Sequence, residues 1–377
     1  NYKIMLYRED GTYVATIEEP VAPEADGKIR YSWVVGKCTG LIAPPGPGYK
    51  IKVKEVGEPV SAMSNSFAIT GIGITSPMGG ENWRYWDFNR VTWGAYQGDG
   101  NIRMILKKNG VVAGDLDYHS DVDKGEFNWL TGEYELGGKV DPGSEYSIRI
   151  ELDGTTDFDE SYKFNITGIR ITSPAGGELW VPGSGVSINW KSFGVTNNLT
   201  LTLKKRGEIF GSYIDNDVPP GPSPGSGSFP WTAGRYKTAN NTYKTVSGGY
   251  GYTIRITENG TDVSHETESF KFKGIYVVTP NGGESWKIAN NPNDVKKIAW
   301  EAPGITQKLT FELYNGAIFF GKIFENINPD LRYCDWFVGK IIGNEKPVPP
   351  HTTYRIKIKD IGDNVNDMSD GYFTLDE

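Results

Sequence analysis

Ile171-Thr-Ser-Pro174-Ala-Gly-Gly-Glu178-Leu-Trp180 has two siblings in the chain: Ile74-Thr-Ser-Pro77-Met-Gly-Gly-Glu81-Asn-Trp83 and Val278-Thr-Pro280-Asn-Gly-Gly-Glu284-Ser-Trp286. Their prolines stand 97 and 106 residues apart. Recurrence at one step marks a structural unit present in several copies. Three further signatures keep that step and occur four times each. One is Tyr49-Lys-Ile-Lys-Val53, Tyr146-Ser-Ile-Arg-Ile150, Tyr252-Thr-Ile-Arg-Ile256 and Tyr354-Arg-Ile-Lys-Ile358. A Trp-x-x-Gly step starts at Trp33, Trp129, Trp231 and Trp336. Phe67-Ala-Ile69, Phe164-Asn-Ile166, Phe270-Lys-Phe272 and Phe373-Thr-Leu375 close each unit. The repeats therefore run 1–72, 73–169, 170–275 and 276–377.

Inside a repeat the apolar period is two. Leu199-Thr-Leu-Thr-Leu203 alternates cleanly, which is the pattern of a strand with one buried face. Asn109-Gly110, Asp153-Gly154, Asn259-Gly260 and Asn315-Gly316 lie between such runs and supply the positive φ that tight hairpins need. About seven short strands per hundred residues is the signature of a β-sandwich of immunoglobulin or fibronectin III type. The recurrent Trp and Tyr are then core plugs, so Trp33, Trp129, Trp231 and Trp336 are expected at equivalent, mostly buried places. No Gly/Ser or Pro-rich linker separates Phe67 from Pro77, Phe164 from Pro174, or Phe272 from Pro280. Without a flexible spacer the expected architecture is all-β: tandem sandwiches in a stiff rod, ~100–140 Å long at strand dimensions. Gly71, Gly168 and Gly274 are the expected junction points.

The first repeat is short. Asn1 aligns with Asn101, so some 28 residues equivalent to 73–100 are absent, and with them the first two strands. Ile4, Leu6, Trp33 and Ile51 are expected on or beside an uncovered face. Such a face invites pairing with another chain, or marks missing sequence, or belongs to a smaller self-sufficient sandwich.

Composition narrows the function classes. The chain has 377 residues, 48 Gly, 22 Pro and a net charge of −8, which disfavours a nucleic-acid binder. No apolar run approaches the ~20 residues of a membrane helix. His119, His265 and His351 fall in three separate segments, so neither a His-based relay nor a His metal site is expected. By repeat the net charge is 0, −8, +3 and −3, which allows an acidic second unit of one chain to pair with a basic third unit of another.

The pattern Thr-Ser-Pro-x-Gly-Gly-Glu-x-Trp, then Ile188-x-Trp190, then Tyr-x-Ile-Arg-Ile, then Ser-x-x-Phe resembles the Ser/Thr-rich GPI-anchored cell-wall module family. That family includes the N-terminal domain of fungal cell-wall glucan-assembly proteins, and similar repeats occur in prokaryotic surface proteins. The resemblance implies a secreted or cell-surface β-sandwich with no established catalytic residues. The chain departs from fungal members in showing no Ser/Thr-rich stalk and no GPI tail, so its tandem array looks more like the prokaryotic surface proteins.

Candidate sites remain to be placed. No nucleophile constellation is visible, so no enzymatic activity is expected. Cys38 and Cys334 occupy non-equivalent positions and are expected free or intermolecular. No cofactor is expected, and calcium is the one candidate ligand. Carboxylate oxygens suitable for it are offered by Asp121, Asp123 and Glu126, by Asp157, Asp159 and Glu160, and by Asp360, Asp363, Asp367 and Asp370, none at EF-hand spacing. Asn165, Asn198, Asn240 and Asn259 head Asn-x-Ser/Thr sequons, with Asn240 and Asn259 expected exposed. Tyr236, Tyr243 and Tyr250 sit amid Asn, Thr, Ser and Gly, a composition of adaptable recognition loops. The function expected is an extracellular structural or assembly protein of a cell surface, filament or surface layer. Self-association and other surface proteins are the expected partners, with glycans as a further candidate. A carbohydrate-binding cell-wall protein and the non-catalytic part of a secreted hydrolase are the alternatives.

Overall fold

The computed structural model describes residues 1–98, 100–291, 293–362 and 364–377. Among them strands alternate with turns and three short 3-10 segments, with no α-helix. By compactness the chain divides into two units. One is Asn1–Arg170 with Lys191–Val195 and Pro222–Gly225; the other holds the remainder.

The second repeat shows the plan. Phe88–Tyr96 is the middle strand of a three-stranded sheet, flanked by Gly71–Ser76 and Glu126–Leu130. The facing sheet places Asn101–Lys108 between Val111–Asp121 and Gly143–Leu152. Gly143–Leu152 pairs onward with Phe158–Glu160 and with Phe164–Ser173, and Asn82–Arg84 joins the latter in parallel. Val91, Trp93 and Trp129 meet Met104, Ile148 and Ile150 in one core. The fourth repeat has the same order, with Tyr276–Thr279, Val295–Glu301 and Tyr333–Phe337 against the sheet of Ile318–Ile327, Leu309–Asn315, His351–Asp360 and Phe373–Asp376. The third keeps that second sheet in Leu199–Lys205, Gly249–Glu258 and Phe270–Phe272. This is the immunoglobulin/fibronectin III β-sandwich in tandem. Leu199, Leu201 and Leu203 are fully buried while Thr200 and Thr202 are not, as the alternation requires.

The repeated signatures are structural devices. Each recurrent tyrosine donates its hydroxyl to a backbone carbonyl upstream: Tyr49 to Pro44, Tyr146 to Asp141, Tyr252 to Gly248, Tyr354 to Pro349. That is the tyrosine corner of such sandwiches. Each Trp-x-x-Gly tryptophan donates its indole N–H to the carbonyl four residues on: Lys37, Glu133, Arg235 and Lys340. The glycine between them, Gly36, Gly132, Gly234 or Gly339, has positive φ, which folds that carbonyl back onto the indole. In the Gly-Gly-Glu motifs, both carboxylate oxygens accept loop N–H groups: Glu81 from Met78 and Gly79, Glu178 from Ala175 and Gly176, Glu284 from Asn281 and Gly282. Gly71, Gly168 and Gly274 all have positive φ at the expected junction points.

The first repeat has one main sheet and a two-stranded ribbon, Lys37–Cys38 with Leu41–Ile42. Tyr2–Arg8 lies between Tyr13–Val21 and Gly46–Glu55, which pairs on with Ser61–Met63 and Phe67–Ile69. Trp129, Trp231 and Trp336 sit in strands and are buried, whereas Trp33 lies in irregular chain and is only half-buried. Its strand would pair with a second strand that this repeat lacks, so the backbone has no partner there. Ile4 and Leu6, expected on or beside the uncovered face, are both buried, Leu6 completely, and the turn carrying Cys38 and Ala43 packs into the same cluster.

Candidate interaction surface

Several of the calcium candidates are bonded within the fold. Asp159 accepts the N–H of Ile74 and Asp367 that of Val277, each at the opening of its repeat. His265, at the equivalent position, accepts the N–H of Ile171 through Nδ1. These three side chains replace a missing ladder bond and tie the opening strand down. The first repeat has Ala62 in that register and no opening strand to tie. Burial pushes the Asp367 carboxyl up, against the N–H of Val277 that lowers it. Burial also pushes Glu160 up, but the ion pair with Lys107 (2.6 Å) and the Ser147 hydroxyl outweigh this and hold it low. Asp157 is exposed, and Asp370 accepts from the Asn281 amide. Asp363 lies outside the described residues. Among the described residues no three His, Cys, Asp or Glu side chains gather as a metal site.

The sequon asparagines separate. The amide of Asn165 donates to Asn82, that of Asn198 to Asp217, and that of Asn259 to the Asn216 carbonyl. Asn259, expected exposed, is thus partly buried, because its turn packs beside Asn198. Asn240 is exposed at the tip of the hairpin formed by Arg235–Lys237 and Tyr243–Thr245.

The three loop tyrosines do not form one surface. Tyr236 packs edge-on against Phe210, and burial raises its phenol. Tyr243 is exposed, with the Arg235 guanidinium 3.9 Å from its ring centre. Tyr250 donates its N–H to Glu301 of the next repeat. The Tyr236 ring is thus engaged in packing, whereas Tyr250 is tied through its backbone and keeps a half-buried ring. Cys38 and Cys334 carry free thiols, both pushed up by burial.

Glu301 marks a polar cluster that sequence reading missed. It is buried, pairs with Arg206, and lies 3.4 Å from the Lys205 ammonium. The ammonium is 3.0 Å from the Tyr276 ring centre and 4.9 Å from that of Tyr252. Burial, opposed by Glu301, pushes Lys205 down to about 8. A charged residue ending an apolar strand, as Lys205 does after Leu199–Leu203, was the available signal.

An open groove lies in the first repeat. It measures about 590 Å³, with Ile4, Ile17, Ile51 and Val53 on its floor and Ile29, Tyr31 and Trp33 along its wall. The register-equivalents of Ile51 are Ile148, Ile254 and Ile356, and those of Val53 are Ile150, Ile256 and Ile358. All six are fully buried, whereas Ile51 and Val53 are half-exposed.

No protein-family model matches the sequence, and no curated protein does. Among solved structures, the chain is similar to immunoglobulin domains 1–5 of Sidekick-1, at 12% identity over 100% of this chain and 74% of that one, TM-score 0.17. It is also similar to the N-terminal four immunoglobulin domains of Dscam1, at 11% identity, 100% and 91% coverage, TM-score 0.16. The fibronectin(III)-like modules of Clostridium thermocellum CbhA match 53% of this chain and 92% of theirs, at 11% identity and TM-score 0.16. The fold class rests on the strand order and registers above. No helix among the described residues is long and apolar enough to cross a membrane.

Proposed function

We propose that this chain is a non-catalytic scaffold of an extracellular surface, an array of sandwiches that works by structural and adhesive contacts. One observation carries the reading. The side chains that recur at the repeat step are spent inside the fold: tryptophan indoles, tyrosine hydroxyls, Gly-Gly-Glu carboxylates and the Asp159, His265 and Asp367 acceptors all bond to backbone. What the sequence repeats is architecture, and what varies between repeats is the outer surface, including the charge. The likeness of its motifs to cell-wall and prokaryotic surface modules supports the location. Protease shaving of intact source cells tests this: peptides of this chain should be released while cytosolic markers stay inside. Recovery of the chain only after lysis would refute the reading.

A further inference from the structure

We propose that the outer face of the first repeat's main sheet binds a linear acidic polysaccharide along the row Lys50, Lys52 and Lys54. Tyr49, Ile51 and Val53 turn toward the core and the groove. The three lysines therefore share the opposite face, about 7 Å apart along the strand. Met5 and Met63 flank Lys52 on the two neighbouring strands, and Tyr7 stands beside Lys50. In the later repeats the same face carries its own counter-charge. The place of Met63 is held by Glu160 in the second repeat and Glu266 in the third, opposite Arg149 and Arg255 as Met63 is opposite Lys52. Glu160 takes Lys107 and the Ser147 hydroxyl, and Glu266 takes Lys204 and the Thr253 hydroxyl. The fourth repeat has Met368 there, but it places Glu312 where the first has Met5, and Glu312 pairs with Lys359 at 2.9 Å. The first repeat has methionine at both places. Glu19, on the same sheet, is taken by Lys3. Among the described residues Lys50, Lys52 and Lys54 form no ion pair.

Charge complementarity sets the ligand class. A row of like charges repels itself, and an anion laid along it removes that cost. An evenly spaced row suits a linear polymer whose charges recur at fixed intervals, whereas a small anion reaches only one or two of the lysines. The Tyr7 and Tyr13 rings stand edge to face at 5.5 Å beside the row, with the Lys52 ammonium 5.6 Å from the Tyr7 ring centre and Tyr13 half-exposed. An exposed ring next to cations offers an apolar surface to the C–H face of a sugar. A second copy of the chain fits this row less well. Many carboxylates of its acidic second repeat are already spent on that repeat's own cations: Asp115 on Arg103, Glu126 on Arg90 and Glu145 on Lys163. The choice of a polysaccharide over a nucleic acid rests on the extracellular reading above, which it deepens by naming what the scaffold holds.

The test titrates the 377-residue chain with polygalacturonate in low salt. Saturable binding is expected, weakening about tenfold when the salt concentration is raised about fourfold. Lys50→Gln, Lys52→Gln and Lys54→Gln together should weaken it about tenfold at low salt, the scale of a few exposed ion pairs. Met63→Glu should weaken it too, by installing the carboxylate that Glu160 and Glu266 supply in their repeats; the position is exposed, so the fold tolerates it. Lys287→Gln, Lys296→Gln and Lys297→Gln remove the same charge from exposed positions of the fourth repeat and should leave binding unchanged. The inference is overturned by no saturable binding, by equal binding of the first-repeat lysine variant, or by an equal loss in the fourth-repeat variant. Equal affinity for single-stranded DNA would overturn it as well, as would sedimentation showing that the row joins copies of the chain to one another. Binding in solution does not depend on where the chain resides. Peptides released by shaving from a chain that ignores polygalacturonate would therefore sink this inference and leave the scaffold reading standing.

Discussion

Replacing Lys205 by Met tests the polar cluster around Glu301. The side chain is buried, and its ammonium faces Glu301, Arg206, Tyr252, Tyr276 and, further off, Asp367. A fall from 10.5 to about 8 corresponds to about 3 kcal/mol held against the charged form. The sign follows from proton counting. Between pH 8 and 10.5 the unfolded chain keeps the Lys205 proton and the folded chain does not, so stability rises with pH in that window. The upper end is cut short by Tyr252 and Tyr276, whose phenols burial pushes up. Raised phenols lose stability as the unfolded tyrosines ionise near pH 10. The usable window is therefore about pH 8 to 9.5, where the Lys205 contribution is about 2 kcal/mol. Lys205→Met keeps the volume and removes the titration, while Arg206 and the Tyr250 N–H still hold Glu301. Urea denaturation of the full chain at several pH values should show wild type gaining about 2 kcal/mol on the variant across the window. Parallel curves would refute the reasoning. So would a large loss in Lys205→Met that is the same at every pH, since that would make Lys205 a necessary partner of Glu301 instead of a desolvated cost.

Other expectations are simpler. Trp129→Phe, Trp231→Phe and Trp336→Phe each lose an indole bond and some core volume, and should lower stability by ~1–3 kcal/mol in thermal melts; Trp33→Phe, half-buried, should cost less than any of them. Asp159→Ala and Asp367→Ala leave the N–H of Ile74 or Val277 without its acceptor, and should cost ~1–3 kcal/mol with faster amide exchange at those two residues; unchanged exchange would mean the side chain holds nothing. In a host that glycosylates Asn-x-Ser/Thr, glycopeptide mass spectrometry should find Asn240 occupied and Asn165, Asn198 and Asn259 bare.

The fold was legible because its signals are local and repeated. Period-two alternation in Leu199–Leu203 fixed strands, Asn109-Gly110 fixed a hairpin with both residues at positive φ, and the step fixed copies. The roles behind the repeats were less legible, because each is a contact across the chain. Nothing in Tyr-x-Ile-x-Ile says that the hydroxyl turns back to Pro44 or Asp141, and nothing in Trp-x-x-Gly says that the glycine aims a carbonyl at the indole. The roles of the acidic runs were hidden for a related reason. Asp157-Phe-Asp159-Glu160 looks like a ligand set in one dimension. In a strand, neighbouring side chains face opposite ways, so Asp159 reaches Ile74 while Glu160 reaches Lys107.

The position shared by Ala62, Asp159, His265 and Asp367 shows how structure could be read out of such a sequence. Two different residue types, Asp and His, stand there in the three later repeats, so no motif search would find it. They have one property in common, a lone pair at the right reach, and each spends it on an N–H of the opening strand of its repeat. Ala62 lacks that property in the one repeat that shows no opening strand. The requirement is therefore on chemistry and not on identity. Asp159→Asn, which keeps an acceptor oxygen, should retain most of the stability that Asp159→Ala loses. If Asn fails as badly as Ala, the negative charge and not the lone pair is what Asp159 supplies, and His265, which accepts the Ile171 N–H through the Nδ1 lone pair, would not be its equivalent.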